Sequence, residues 1–291
     1  MSTLIVTGAS GKLGRRIVQL VLDRGGDRII AATRTPAALA DFAARGVEVR
    51  RADFDDPASL PAAFAGGDVG LLISTDAIGH PGLRIAQHRA AIRAFEAAGV
   101  RHVVYTSLVN PVGSPIGIAI DHTTTEAALA ESTLDFTVLR NNLYTDMLGV
   151  YLPPAIASGS LVDACGTGAT AFVTREDCAR VAAAVVARPP AGRQTLDVTG
   201  PAGVTRDEVA ALASEILGRP IRHVSVDVPA LVAGAVEHGV PKPIAELYAT
   251  FDAGVAQGYL ATPADTVRRL TGQAPQSVRD FLVAHKQALL G

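Results

Sequence analysis

Val6-Thr7-Gly8-Ala9-Ser10-Gly11-Lys12-Leu13-Gly14-Arg15 stands between a short apolar run, Leu4-Ile5-Val6, and the stretch Arg15-Arg16-Ile17-Val18-Gln19-Leu20-Val21-Leu22. The run before it predicts a buried strand, and the apolar spacing after it predicts a helix. The unit is strand, glycine turn, helix. The glycines permit a tight turn and close approach of a ligand to the backbone. The first helical turn offers N–H groups without intrahelical partners, and the positive end of its dipole, to a phosphate. A dinucleotide pyrophosphate is the ligand this arrangement predicts.

Outward from that unit, strands are expected at 4–7, 28–33, 47–51, 69–74, 102–106 and 136–139. Helical patterns separate them at 15–23, 37–44, 59–64, 84–98 and around 123–131. Such alternation implies a parallel sheet with helices on both faces, and a ligand outside the carboxyl ends of its strands. After Arg140 the rhythm changes: Pro153-Pro154, Gly159, Gly166 and Gly168 are expected to break up the chain. One more helix at 173–187 and a strand at 195–198 follow. The amphipathic stretch 205–217 has Thr205 as its cap and Glu208 three residues on. The expected fold is α/β: a Rossmann-type doubly wound parallel sheet with a smaller, mainly helical C-terminal substrate lobe. The chain reads as a single NAD(P)-binding domain over 1–291, its core mainly 1–140 plus about 170–200, its lobe mainly 141–169 and 201–291.

A net charge of −2 with no basic run argues against nucleic acid or an anionic membrane as partner. Cys165 and Cys178 fit neither a disulfide framework nor a zinc site, so a reducing cytoplasm is the expected compartment. No signal peptide is visible, and no apolar run is long enough to span a bilayer.

Gly8-x-x-Gly11-x-x-Gly14 departs from the G-x-G-x-x-G spacing, but its context is that of a dinucleotide site. Thr7, Gly8, Ser10, Gly11, Lys12, Leu13 and Gly14 are the expected cofactor loop. The second strand ends in Ala32-Thr33-Arg34-Thr35 and carries no acid to bind a ribose 2′-hydroxyl. Arg34 can fork onto a 2′-phosphate, with Lys12 as a second cation, or be a solvated strand-end residue. NADPH is therefore the expected cofactor. Asp53 and Phe54 flank the adenine, or Asp53 merely caps the next helix. Ser74, Thr75, Thr106 and Ser107 end two strands on the nicotinamide side, where hydroxyls also commonly satisfy loop backbone.

Thr7-Gly8-x-x-Gly11-x-x-Gly14, Tyr105-Thr106-Ser107, Phe136-Thr137-Val138-Leu139-Arg140, Thr174-Arg175-Glu176-Asp177 and Thr199-Gly200-Pro201 resemble the NmrA-like group of atypical short-chain dehydrogenase/reductases. Gln87-His88, His122-x-x-x-Glu126 and Arg140-Asn141-Asn142-Leu143-Tyr144-Thr145-Asp146 bring it nearest to NADPH-dependent quinone oxidoreductases and triphenylmethane dye reductases. Typical short-chain dehydrogenases carry Tyr-x-x-x-Lys after the fifth strand. Here Ile118 falls at the Tyr position and His122 at the Lys position, and Tyr105 lies inside a strand.

The resemblance implies a reductase passing hydride directly to an electrophilic aromatic acceptor, without the Tyr/Lys proton relay. His122 then holds the nicotinamide ribose, donates a proton, or packs. Asn141 is expected near the carboxamide. Tyr144 lines the acceptor pocket or packs at the lobe interface. No metal or flavin is expected, and a homodimer is compatible with the reading. The alternative is an NADP(H)-binding redox sensor without catalysis, which the NmrA-like group also contains.

Overall fold

A computed structural model describes residues 2–290. Seven strands form one sheet: β1 (Thr3–Val6), β2 (Arg28–Thr33), β3 (Glu48–Arg51), β4 (Val69–Leu72), β5 (His102–Leu108), β6 (Asp135–Asn141) and β7 (Arg193–Val198). Their spatial order is β3-β2-β1-β4-β5-β6-β7, with every neighbouring pair parallel. The order reverses between β1 and β4, and a crevice opens at such a switch point.

All residues of β1, β4 and β5 are buried, as a sheet covered on both faces requires. The Lys12–Arg24 and Arg175–Ala187 helices cover one face, seating Ile17, Val18 and Val21 with Val181 and Val185. The Leu83–Ala97 and Ala119–Glu131 helices cover the other, around Phe64, Phe95, Tyr105 and Leu129. Gly70 gives Phe95 its place, since a Cβ there would lie 2.6 Å from the ring.

Several boundaries move for tertiary reasons. β5 and β6 run on to Leu108 and Asn141 because they pair with each other residue by residue to that point. The pattern at 37–44 is a 3₁₀ turn, Pro36–Leu39, running into the single turn Ala40–Ala43. Pro153 and Pro154 do not break the chain, contrary to expectation; they lie inside the Leu148–Ser158 helix. The carbonyls they leave without donors belong to Gly149 and Val150, which are exposed to water. Leu148, Leu152 and Ala155 meanwhile anchor the helix in a core with Val209, Leu217 and Phe281. The helix Arg206–Leu217 starts at a capping box of Thr205 and Glu208, as its sequence predicts.

The later part of the chain is tied to the sheet by polar contacts. Asn142 Nδ2 donates to the Leu260 carbonyl (2.9 Å) and Asn110 Nδ2 to that of Tyr259 (2.8 Å). No helix among the described residues is long and apolar enough to cross a membrane.

Candidate functional site

The crevice begins where β1 gives way to the glycine loop. Gly8 has φ +58°, a left-handed conformation that a side chain would strain. Gly11 caps the Lys12–Arg24 helix with no side chain bonded to its first N–H groups, which leaves them for a ligand. Thr7 holds the floor: its hydroxyl donates to the Leu71 carbonyl (2.9 Å) and accepts from Ile73 N (3.0 Å). Ser10 lies 2.7 Å, hydroxyl to hydroxyl, from Thr33.

Thr7, Gly8, Ser10 and Gly11 line the crevice. The other loop residues lie elsewhere. Lys12 is exposed and Leu13 is in the core. Gly14 lets the helix close on its own loop, for a Cβ there would sit 2.3 Å from Gly8 O.

Arg34, Asp53, Phe54, Ser74 and Thr75 complete the predicted part of the wall. Arg34 pairs across the mouth with Asp76 at 3.2 Å, both side chains more than half exposed. Asp53 receives Arg51 at 3.1 Å and the Asp55 N–H at 3.1 Å, so its carboxylate organises the turn after β3 while facing the crevice.

Asp55, Asp76 and Gln87 also line the wall and were not among the predicted contacts. Gln87 accepts from the Thr75 hydroxyl (2.6 Å) and donates to Asp55 (2.7 Å), linking two sides of the crevice. Gln87 was visible in the sequence through the Gln87-His88 match. The two acids carried no pattern, because their partners are remote along the chain.

Behind this wall lies a buried polar network. Thr75 N donates to His88 Nε2 (3.0 Å), so His88 carries its proton on Nδ1, facing Thr125 Oγ1 at 2.9 Å. Burial, then the charge of Arg84, pushes His88 down to about 3. His122 has Arg84 Nη2 at 3.3 Å from Nε2 and the Tyr105 oxygen at 2.9 Å from Nδ1. A guanidinium only donates, so Nε2 accepts and the Nδ1 proton goes to Tyr105. Burial and the Arg84 and His88 neighbours hold His122 well below its usual range, hence neutral. Burial holds the Tyr105 phenol well above its own.

His122 is 3% exposed and does not line the crevice. Ile118 stands just before its helix and packs beside Leu108 and Ile116. Ser107 donates to Glu126 (2.6 Å), which also takes both arms of Arg140. Thr106 Oγ1 accepts from Ser74 N at 2.9 Å. Asn141 is buried with Oδ1 unpartnered. Tyr144 bridges to Val173, under the Arg175 guanidinium at 5.2 Å, and enclosure raises its phenol well above the usual value. The structure thus brings together Thr7, Gly8, Ser10, Gly11, Arg34, Asp53 and Phe54, with Ser74 and Thr75 of the nicotinamide side, and leaves Lys12, Leu13 and Gly14 off the wall. Thr106, Ser107, His122, Asn141 and Tyr144 stand behind or beyond the crevice wall.

One group with metal-ligand atoms occurs among the described residues: Asp163, Cys165 and Asp252, within 4.8 Å of one another. Burial pushes the Cys165 thiol well up, and Arg206 Nε stands 3.6 Å from Asp163. A protonated thiol and an adjacent guanidinium are poor company for a cation.

Residues 8–189 match an NAD(P)H-binding family. The chain is 33% identical to quinone oxidoreductase 2 of Escherichia coli over 92% of this chain and 93% of that one. It belongs to the NAD(P)H-binding, NmrA-like family. The E. coli quinone oxidoreductase in complex with NADPH superposes with a TM-score of 0.92 at 32% identity, over 97% of this chain and 99% of that one. Triphenylmethane reductase of Citrobacter sp. in complex with NADP(H) gives 0.90 at 32% identity, over 98% and 100%. The transcriptional regulator NmrA with bound NAD gives 0.76 at 15% identity over 97% and 94%, a likeness of fold alone. The chain is an NAD(P)H-dependent oxidoreductase, as are the relatives it matches at 32–33% identity. Its crevice fits that cofactor: a cradle of Gly8 and Gly11, a helix N-terminus without a side-chain cap, and Arg34 where an NAD site has an acid.

Proposed function

We propose that the chain is an NADPH-dependent reductase delivering hydride directly to an electrophilic aromatic acceptor, a quinone or a triphenylmethane dye. The observation that carries this reading is the commitment of His122 and Tyr105 to each other. Both are buried and both are held in their neutral forms; His122 stands at the Lys position of a typical short-chain dehydrogenase, and Ile118 at its Tyr position. The quinone and dye reductases named among the relatives agree with it.

The Ser10 N–H and the N–H groups of the first turn of the Lys12–Arg24 helix hold the pyrophosphate, those of Ala9 and Gly11 being spent on the Ala32 and Gly8 carbonyls; Arg34 holds the 2′-phosphate, and Asp53 with Phe54 the adenine edge. When bound, the reduced nicotinamide supplies the hydride. Ser74 and Thr75 shape the wall toward that end, with Thr75 fixed by Gln87 and His88. Thr106 fixes Ser74. Asn141, at the end of β6, serves the carboxamide of the cofactor, and Tyr144, just beyond it, the acceptor side.

His122, held neutral by burial, and Tyr105, its phenol held above the usual range, are not placed to supply a proton. For an ordinary ketone that omission forfeits roughly 10²–10⁴ in rate. A quinone anion is delocalised and takes its proton from water afterwards, and a triarylmethyl cation needs none. For such acceptors positioning is the main demand.

Steady-state oxidation of NADPH with a small benzoquinone, a cationic triphenylmethane dye and a simple ketone tests the proposal. Turnover is expected with the first two, with kcat/KM for the ketone lower by about 10²-fold or more. Tight NADP binding without turnover of any acceptor would replace this reading with the sensor.

A further inference from the structure

The later part of the chain contains a second cavity, of about 500 Å³, that shares no lining residue with the cofactor crevice. It lies between the Leu148–Ser158 helix, the strand Ser160–Asp163 and the Val228–Glu237 and Lys242–Ala256 helices. Its size is that of a small-molecule site. Four of its lining residues are large apolar or aromatic side chains left strongly exposed: Val150 (61%), Tyr248 (59%), Val162 (49%) and Tyr151 (43%). Exposed apolar groups gathered at one cavity mark a place built to be covered.

The polar part of the lining is equally distinctive. Arg206 and Asp163 both line the cavity, and each is only 6% exposed. Arg206 Nη1 and Asp163 Oδ2 have no hydrogen-bond partner. Arg206 Nε stands 3.6 Å from that same Oδ2, too far for a hydrogen bond. Each residue is otherwise engaged. The guanidinium lies over Phe172 at 5.0 Å, and Asp163 Oδ1 takes Cys165 N at 2.9 Å and His223 Nε2 at 3.1 Å. A buried donor and a buried acceptor, both unmade, are costly to leave so.

Their juxtaposition selects a ligand chemistry. An anion is opposed by Asp163 and Asp252, which both line the cavity, and a cation by Arg206. A neutral hydroxyl satisfies both atoms, accepting from Arg206 and donating to Asp163. Apolar walls with two tyrosines suit a flat ring behind that hydroxyl. We infer that this cavity is a binding site for a neutral phenol, its O–H bridging Arg206 and Asp163 and its ring between Tyr151 and Tyr248. The inference stands independently of the reductase reading, since the two sites share no residue.

Calorimetric titration of the full chain, saturated with NADP, with 4-propylphenol and with 4-propylanisole tests it. The ether keeps the ring and the acceptor but lacks the donor. Saturable phenol binding is expected, with the ether weaker by about 10-fold, the worth of one charge-assisted hydrogen bond. Ala249→Phe, which fills the cavity, should abolish the phenol signal. The rim variant Tyr248→Ala, at an exposed position, should weaken it and leave NADPH affinity unchanged. Equal affinity for phenol and ether overturns the inference, as does phenol binding that neither variant changes, or no saturable binding. A dimer that Tyr248→Ala dissociates in light scattering also overturns it, for then a second copy covers the face.

Discussion

Replacing Arg34 with alanine should separate the two nicotinamide cofactors. The guanidinium stands at the end of β2 on the crevice wall, paired with Asp76 at 3.2 Å and 57% exposed. A hydrogen bond from a guanidinium to a charged oxygen is worth about 1.5–3 kcal/mol, and the exposure of Arg34 places it in the lower half. Leaving Asp76 costs about 0–1 kcal/mol, the worth of an exposed ion pair. The net, about 1–2 kcal/mol, is a loss of roughly 5–30-fold in NADPH affinity. NADH, which has no 2′-phosphate, should lose less than about twofold, because only the local charge changes. Titration of each reduced cofactor by its own fluorescence reads both numbers. Asp76→Asn gives the opposite sign: freed from its competitor, Arg34 should hold NADPH more tightly, by up to about fivefold. Equal weakening of NADPH and NADH by Arg34→Ala would refute the reasoning and return Arg34 to a solvated strand end.

Other consequences follow from the same geometry. Gly14→Ala places a methyl 2.3 Å from Gly8 O, so it should cost roughly 1–3 kcal/mol in denaturant titration and weaken NADPH. Gly149→Ala, in a helix with open space around it, should leave stability equal or raise it by up to about 1 kcal/mol. Stability should fall on acidification through His88. Its folded pKa of about 3 lies below the unfolded value of 6.5, so the unfolded chain gains a proton first; the contribution is full above 6.5 and is lost progressively down to about 3. His88→Gln should flatten the stability–pH slope between about pH 4 and 5.5 by about one proton, and an unchanged slope would acquit His88. Tyr105→Phe strands the His122 Nδ1 proton, so about 1–3 kcal/mol of stability should go while kcat with a quinone stays within about twofold. A collapse of kcat at unchanged KM would instead make the pair a proton relay.

The sheet was legible because its information is local. Gly8-x-x-Gly11-x-x-Gly14 between an apolar run and an amphipathic helix states its geometry within a dozen residues, and the later strands repeat the theme. The wall of the crevice was legible where it follows strand ends, at Arg34, Asp53, Ser74 and Thr75. Asp76, which meets Arg34 from 42 residues away, was not, nor was the linkage of Asp55 to Thr75 through Gln87. His122 shows the limit most clearly. Its place in a motif suggested cofactor contact among other roles, but whether it meets ligand or Tyr105 depends on how two helices close over β5. Pro153 and Pro154 misled for a related reason: local propensity yields when Leu148 and Leu152 have a core to enter. The second cavity was illegible altogether, since Asp163, Arg206 and Asp252 converge only in three dimensions.

Direct delivery of hydride is the central claim, and the fate of one hydrogen tests it. With NADPH deuterated at the transferring position of C4 and a triphenylmethane dye as acceptor, the colourless product should carry the deuterium on its central carbon, one mass unit heavier by mass spectrometry. A colourless product without deuterium, or NADPH bound tightly with none consumed, would contradict the account.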